Sequence, residues 1–299
     1  MYKQITSNKR KSALLIFIFV VFIGLLGWIF SEVSGSGYGP LAAAAIISLL
    51  MALLSYYSGD KIALLTAGAK GPISEEENTY VYHLVENLCI TAGLPMPKVY
   101  LIADPAPNAF ATGRDPAHAS IALTTGIVEQ LENEELEGVI AHELSHIKNY
   151  DIRLMMVVIV LVGIVALLSN WLLRFRFFGG RRNDREGSGQ IGTILLLIGI
   201  VLAIVSPLIA QLIKLAVSRK REFLADADGA LLTRYPEGLA KALEKISAYN
   251  QPMLHANDAT AHLYISNPFG AKNQNFFHKL FSTHPPTEER IKILRKMIS

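Results

Sequence analysis

Four apolar runs, at residues 13–30, 41–57, 154–173 and 191–217, constrain this chain more than any other feature. The first three carry no charge, and the fourth carries only Lys214, near its end. About 20 residues of helix cover the roughly 30 Å hydrocarbon core of a bilayer, and a helix satisfies its own backbone hydrogen bonds there. The runs therefore predict four membrane-embedded helices. Composition agrees: 51% of the 299 residues are hydrophobic, too many for an ordinary soluble domain. Membrane segments that form a transport path usually carry ionisable or interrupted positions at mid-depth, and these runs carry almost none, so they read as anchors.

The runs divide the chain into four parts. Residues 1–57 hold two amino-terminal spans, and 58–153 a polar segment. Residues 154–217 form a hydrophobic hairpin, and 218–299 a second polar segment. Lys3, Lys9, Arg10 and Lys11 precede the first run without an acid, which predicts a cytoplasmic amino terminus. A signal peptide begins similarly, but no small-residue cleavage pattern stands out and a second span follows. Between the third and fourth runs lie Arg174, Arg176, Arg181, Arg182 and Arg185, against the positive-inside tendency. The second hairpin therefore either crosses the bilayer against that tendency or fails to cross it fully. One cysteine, Cys89, excludes an intramolecular disulfide, and its place on an apolar helix face predicts buried packing.

In the first polar segment, Ser74 and Glu77 make a capping-box signature ahead of the helical stripe Val81, Leu84, Val85 and Leu88. Residues 98–102 and 119–123 read as strands, and 108–112 as a third between them. The stretch Asn108, Ala109 and Phe110 either offers a strand edge to an extended peptide or simply closes a hairpin. Next comes His142-Glu143-Leu144-Ser145-His146, on a helix begun by Glu134 and Glu135. Residues four apart share a helix face, so His142 and His146 can hold one metal ion. Glu143 lies beside the first ligand, placed to take a proton from a water at the metal's open position. The spacing predicts a zinc-dependent hydrolase with one Zn2+ per chain.

A third ligand must come from elsewhere, because Asn149 and Ile152 occupy the positions where a metzincin places Gly and His. Glu222 and Asp226 are again four apart on a predicted helix. Glu222 is the expected third ligand, with Asp226 accepting the spare N–H of a ligand histidine. Alternatively, the pair is a solvated acidic face after Arg219, Lys220 and Arg221. The third run begins about two helical turns past His146 and the fourth ends just before Glu222, so a shared metal would lie close to the membrane surface. His83, His118, His255, His262 and His278 show no ligand spacing. Pro236 opens a helix with Leu239, Leu243 and Ile246 on one side, and residues 250–283 read as a loop.

The run H-E-L-S-H-I-K-N-Y-D, followed after the hairpin by S-R-x-x-E-x-x-A-D, resembles the HtpX-type membrane zinc metalloproteases. These are relatives of the prenyl-protein (CAAX) endopeptidases. The likeness extends to the amino-terminal spans, to Pro107–Gly113 and to Thr283-His-Pro-Pro-Thr-Glu-Glu-Arg290. The resemblance implies a multi-pass protein of the cell membrane that degrades damaged or misassembled membrane proteins. The expected fold is mainly α: four hydrophobic helices plus an α+β zincin (gluzincin-like) catalytic unit, with a small sheet beside the metal helix. The expected active site is cytoplasmic, and the expected partners are polypeptide substrates and lipid. No phosphate loop or basic aromatic surface points to nucleotide or nucleic acid. His284 is expected either at the cleft, as a hydrogen-bond donor or a reversible ligand, or at a helix entry. The rival reading is a non-catalytic, zinc-stabilised membrane scaffold.

Overall fold

The computed structural model describes residues 2–35, 37–158, 219–257, 260–270 and 285–297. The chain opens with a helical hairpin, α1 (Tyr2–Ser34) and α2 (Gly39–Thr66). Gly27 lets the two approach closely, because a Cβ there would strike Ala44. Both helices are long and apolar enough to cross a membrane, at Gln4–Glu32 and Gly39–Thr66. Phe17 and Leu25 of α1 and Leu49 and Leu54 of α2 are exposed, as lipid-facing side chains are. Each helix outruns its apolar run. α2 continues past Tyr57 through the buried Gly59 to Thr66, with no proline to stop it, and Ala63 and Leu64 end buried in the polar half of the molecule. Of the hydrophobic hairpin, residues 154–158 are helical and buried, and the remainder lies outside the described residues.

A four-stranded sheet follows, from β1 (Ala69–Lys70), β2 (Lys98–Ile102), β3 (Ala109–Gly113) and β4 (Ala119–Thr124). The order is β1-β2-β4-β3, with β2 and β4 parallel and the outer pairs antiparallel. β3 is an edge strand. Gly113 turns the chain into β4 at φ 140°, and a Cβ there would strike the His118 carbonyl. The sequence missed β1, which is too short to show a period.

Five further helices pack around the sheet: α3 (Thr79–Ala92), α4 (Thr125–Gln130), α5 (Asn133–Lys148), α6 (Arg219–Thr233) and α7 (Pro236–Ala248). A last helix, α8 (Thr287–Lys296), closes against α6 and α7. The Ser74–Glu77 signature closes a turn, with the Ser74 N–H donating to Glu77 at 2.7 Å. The cap of α3 is Asn78, whose side chain accepts from the Val81 N–H at 3.0 Å. In the stripe behind it, Val81, Leu84, Val85 and Leu88 are all buried. At the start of α5, the Glu135 carboxylate accepts from the Glu132 N–H at 2.9 Å. The apolar core joins α3, β4, α5 and α7 through Val85, Ile121, Ile140 and Leu243.

Candidate metal centre

The lower turns of α5 and the first turns of α6 lie side by side because Gly229 permits it. A Cβ there would stand 3.0 Å from the His142 backbone nitrogen. The contact sets His142, His146 and Glu222 face to face in the interior, with all three side chains buried. The His142 and His146 Nε2 atoms are 3.1 Å apart. Glu222 carboxylate oxygens lie 3.6 Å from the His146 Nε2 and 3.8 Å from the His142 Nε2. Ligands about 2.0–2.2 Å from a tetrahedral zinc stand roughly 3.3 Å from one another. The observed separations bracket that value.

The outward ring nitrogens are held by carboxylates. The His142 Nδ1 lies 3.0 Å from Asp226 Oδ1, and the His146 Nδ1 lies 3.1 Å from Asp151 Oδ2. Each carboxylate accepts a hydrogen bond from the Nδ1–H, which fixes the tautomer and leaves both Nε2 lone pairs converging on one point. Two lone pairs and a carboxylate in a buried space repel one another unless a cation lies among them. The donor set therefore fits a divalent metal of the zinc type. The charge balance points the same way. Burial works against charge on His146. The Asp151 hydrogen bond and the carboxylates of Glu222, Asp151 and Glu143 override it and push its pKa up to about 9.

Asp226 has a second partner that the sequence reading did not assign. Arg290 of α8 grips it with two hydrogen bonds, Nε to Oδ2 at 2.8 Å and Nη2 to Oδ1 at 2.7 Å. Both residues are 1% exposed. Burial works against ionisation of Asp226, yet the Arg290 guanidinium, with His142, holds its carboxyl at about 2. Glu222 and Asp226 are thus interior groups, and the reading of a solvated acidic face falls away. Asp151 closes the quoted H-E-L-S-H-I-K-N-Y-D run, and Arg290 ends the quoted T-H-P-P-T-E-E-R run. A charged residue inside each motif was the available signal.

Glu143 is 1% exposed and lies beside the cluster. Burial raises its carboxyl above the usual range, against the pull of His142 and His146. The backbone N–H of Ala111, on β3, donates to it. The Asn108–Phe110 stretch is buried. Asn108 pairs through its side chain with the backbone of Ser266. The Ala109 carbonyl accepts from the Ile265 N–H at 3.0 Å. The chain's own 265–266 segment thus covers that end of the strand edge. Hydrogen bonding alternates along β3, so the outward positions are Ala109, Ala111 and Gly113.

His83 pairs with Glu75 and Glu86, and His118 with Asp115. His255 lies by Gly68, and His262 is buried. His278 and His284 lie outside the described residues.

Such a donor cluster, behind helices apolar enough to cross a membrane, fits a membrane-associated metal-dependent hydrolase. Residues 75–298 match Peptidase family M48, and the chain belongs to that family. A protease HtpX homolog of Thermoanaerobacter pseudethanolicus is 46% identical over 300 residues, covering 99% of this chain and 98% of that one. Another, from Tropheryma whipplei, is 46% identical over 297 residues at the same coverage. One from Lactobacillus acidophilus is 44% identical over 305 residues, covering 99% and 100%. The crystal structure of S. mikatae Ste24p superposes with a TM-score of 0.51 at 18% identity, covering 98% of this chain and 67% of that one, and shares the fold. The scaffold reading is set aside on these relationships.

Proposed function

We propose that the protein is a zinc endopeptidase of the cell membrane that cuts exposed segments of misfolded or damaged membrane proteins. The observation that carries the zinc reading is the convergence of the His142 and His146 Nε2 atoms with Glu222, behind the Asp226 and Asp151 carboxylates. His142, His146 and Glu222 are the ligands. Zinc bound there supplies a Lewis acid for a peptide carbonyl and makes the attacking water more acidic.

The chain's own groups do the rest. Glu143 takes the proton from the attacking water and delivers it to the departing amine nitrogen. The Ala111 N–H fixes the carboxylate's position. Asp226 and Asp151 hold the ligand rings in one tautomer, and Arg290 holds Asp226. An extended substrate pairs with β3 at the Ala111 carbonyl and at Gly113, beyond the end that residues 265–266 cover. For His284, in the Thr-His-Pro-Pro stretch, the roles open to it are a hydrogen bond to the developing oxyanion or reversible ligation of the metal, against a helix-entry packing role. If His284→Ala leaves turnover and zinc affinity unchanged, the first two roles are wrong.

The bilayer is part of the substrate reading. Residues 151–158 leave the metal centre directly into the third apolar run, so the site stands at the membrane surface. The amino-terminal end of α1 touches the same region, which supports reading the basic amino terminus and the active site on one face, the cytoplasmic one. The test is made in proteoliposomes, with one unfolded polypeptide presented either free or anchored by a transmembrane segment. The anchored form is cut faster, by about tenfold or more, as surface confinement raises its effective concentration. Equal rates would overturn the membrane-substrate reading while leaving the peptidase intact.

A further inference from the structure

Asn8 lies on α1, five residues before the first apolar run begins, and it is 2% exposed. A side-chain amide has two N–H donors and one carbonyl acceptor, and all of these are engaged with the catalytic half of the molecule. The Asn8 Nδ2 donates to Asp151 Oδ1 at 2.7 Å and to the Asn149 carbonyl at 3.0 Å. The Asn8 Oδ1 accepts from Arg221 Nη1 at 3.1 Å. These contacts span 141, 143 and 213 positions of sequence. Asp151 therefore works as a two-sided clamp, with Oδ2 on the His146 Nδ1 and Oδ1 on Asn8. Arg221, which precedes Glu222, stands 3.7 Å from the same Oδ1 and meets the amide from the other side. The neighbouring residues repeat the contact. The Lys9 ammonium lies 4.2 Å over the Tyr150 ring, and Tyr150 holds a left-handed φ of 60° that turns the chain into Asp151.

We propose that Asn8 is a positioning residue of the metal centre: the first membrane helix completes the hydrogen-bonded shell that orients His146, through Asp151, and anchors the start of α6, through Arg221. The inference rests on the reading of His142, His146 and Glu222 as zinc ligands. It makes α1 more than an anchor. Helix and metal site share one polar network, and a displacement of α1 in the bilayer moves the carboxylate that fixes His146.

Replacing Asn8 by leucine keeps most of the volume, removes both donors and leaves Asp151 Oδ1 buried with only the longer Arg221 contact among those described. Outer-shell partners of metal-ligating histidines are worth about 10- to 100-fold in metal affinity, and Asn8 acts one bond further out, so the lower end applies.

The experiment uses the full chain purified in detergent, stripped of metal and titrated with zinc against a chelator of known affinity. Cobalt reconstitution gives a visible absorption spectrum of the ligand field. Asn8→Leu is expected to weaken zinc binding about tenfold, shift the cobalt spectrum, and lower kcat at saturating zinc with KM unchanged. Asn8→Asp preserves shape and the Arg221 contact but loses the donors, and it is expected to do the same, which keeps the test available if the leucine variant folds poorly. In the Asp151→Asn background the Asn8→Leu substitution is expected to add little, because the two act in series. Phe19→Ala loosens the packing of α1, where Phe19 is 5% exposed, without approaching Asp151. It is expected to lower Tm and leave zinc affinity alone. If the Asn8 variants bind zinc and absorb like the wild type, or if Phe19→Ala weakens zinc as much as they do, the proposal is overturned while the peptidase reading stands. If the wild type itself takes up no zinc, the ligand assignment fails and this inference falls with it.

Discussion

At the scale of single residues, the metal centre is held by carboxylates that are themselves held. Arg290 and Asp226 form a bidentate pair sealed from water. Removing one partner of such a pair leaves a buried charge uncompensated and costs about 3–5 kcal/mol. Arg290→Met is therefore expected to lower the unfolding free energy by that amount and to loosen zinc, as read by chemical unfolding with metal content determined alongside. A change below about 1 kcal/mol would show that Asp226 finds another partner. Cys89 makes a separate prediction. Burial, helped by Glu86, pushes its thiol up to about 12 from an ordinary 9.0. The folded state holds that proton more tightly than the unfolded one, so the contribution is intact below about pH 9 and lost as pH rises towards 12. Native protein is expected to resist a thiol reagent at pH 8 until denatured, and Cys89→Val to flatten the alkaline loss of stability. Rapid native labelling would contradict the burial. Residue chemistry was legible in sequence where spacing expresses it. His142, His146, Glu222 and Asp226 recur at helical intervals, and the structure brings them together. Asn8 gave no signal, because a lone asparagine among basic residues has no period and its partners lie far away in sequence.

At the scale of elements, the site depends on close helix approaches that glycine allows. Gly138 of α5 faces α7, where a Cβ would stand 2.7 Å from the Leu239 nitrogen. Gly138→Ala must push the two helices apart, at a cost of about 1–3 kcal/mol. A lowered Tm in a thermal scan of the full chain is the expected result, whereas an unchanged Tm would show that α7 shifts freely. Strands at 98–102 and 119–123 were readable from their apolar, β-branched runs, the second running one residue further, to Thr124, and so were the helices after Asn78 and at Pro236. The Ser74–Glu77 pair misplaced the start of α3 because a capping-box pattern closes an isolated turn as readily as a helix. The cover that residues 265–266 lay over β3 was invisible, since backbone pairing across a loop leaves no side-chain pattern.

At the scale of the whole molecule, α1 and α2 are joined to the catalytic half at their polar ends, through Asn8 on one and through Ala63 and Leu64 on the other. On the proposed reading, the amino terminus and the metal centre share one side of the membrane. With Cys89 replaced by alanine, single cysteines at Thr6 and at Glu76, both exposed, are expected to label from the same face of sealed vesicles. Labelling from opposite faces would break the proposed topology. Apolar run lengths made the amino-terminal pair legible, but the point at which each helix leaves the bilayer was not, because α2 carries on through Asp60 and Lys61 without a proline.

The most direct measurement is cleavage of an unfolded protein by the detergent-purified chain and by Glu143→Gln, each loaded with zinc and assayed for metal. With Glu143 as the base, one zinc is expected in both and cleavage by the first alone, with turnover in the variant reduced by about 100-fold or more. Comparable cleavage by the Glu143→Gln chain, or undiminished cleavage by wild type after zinc is stripped, would contradict it.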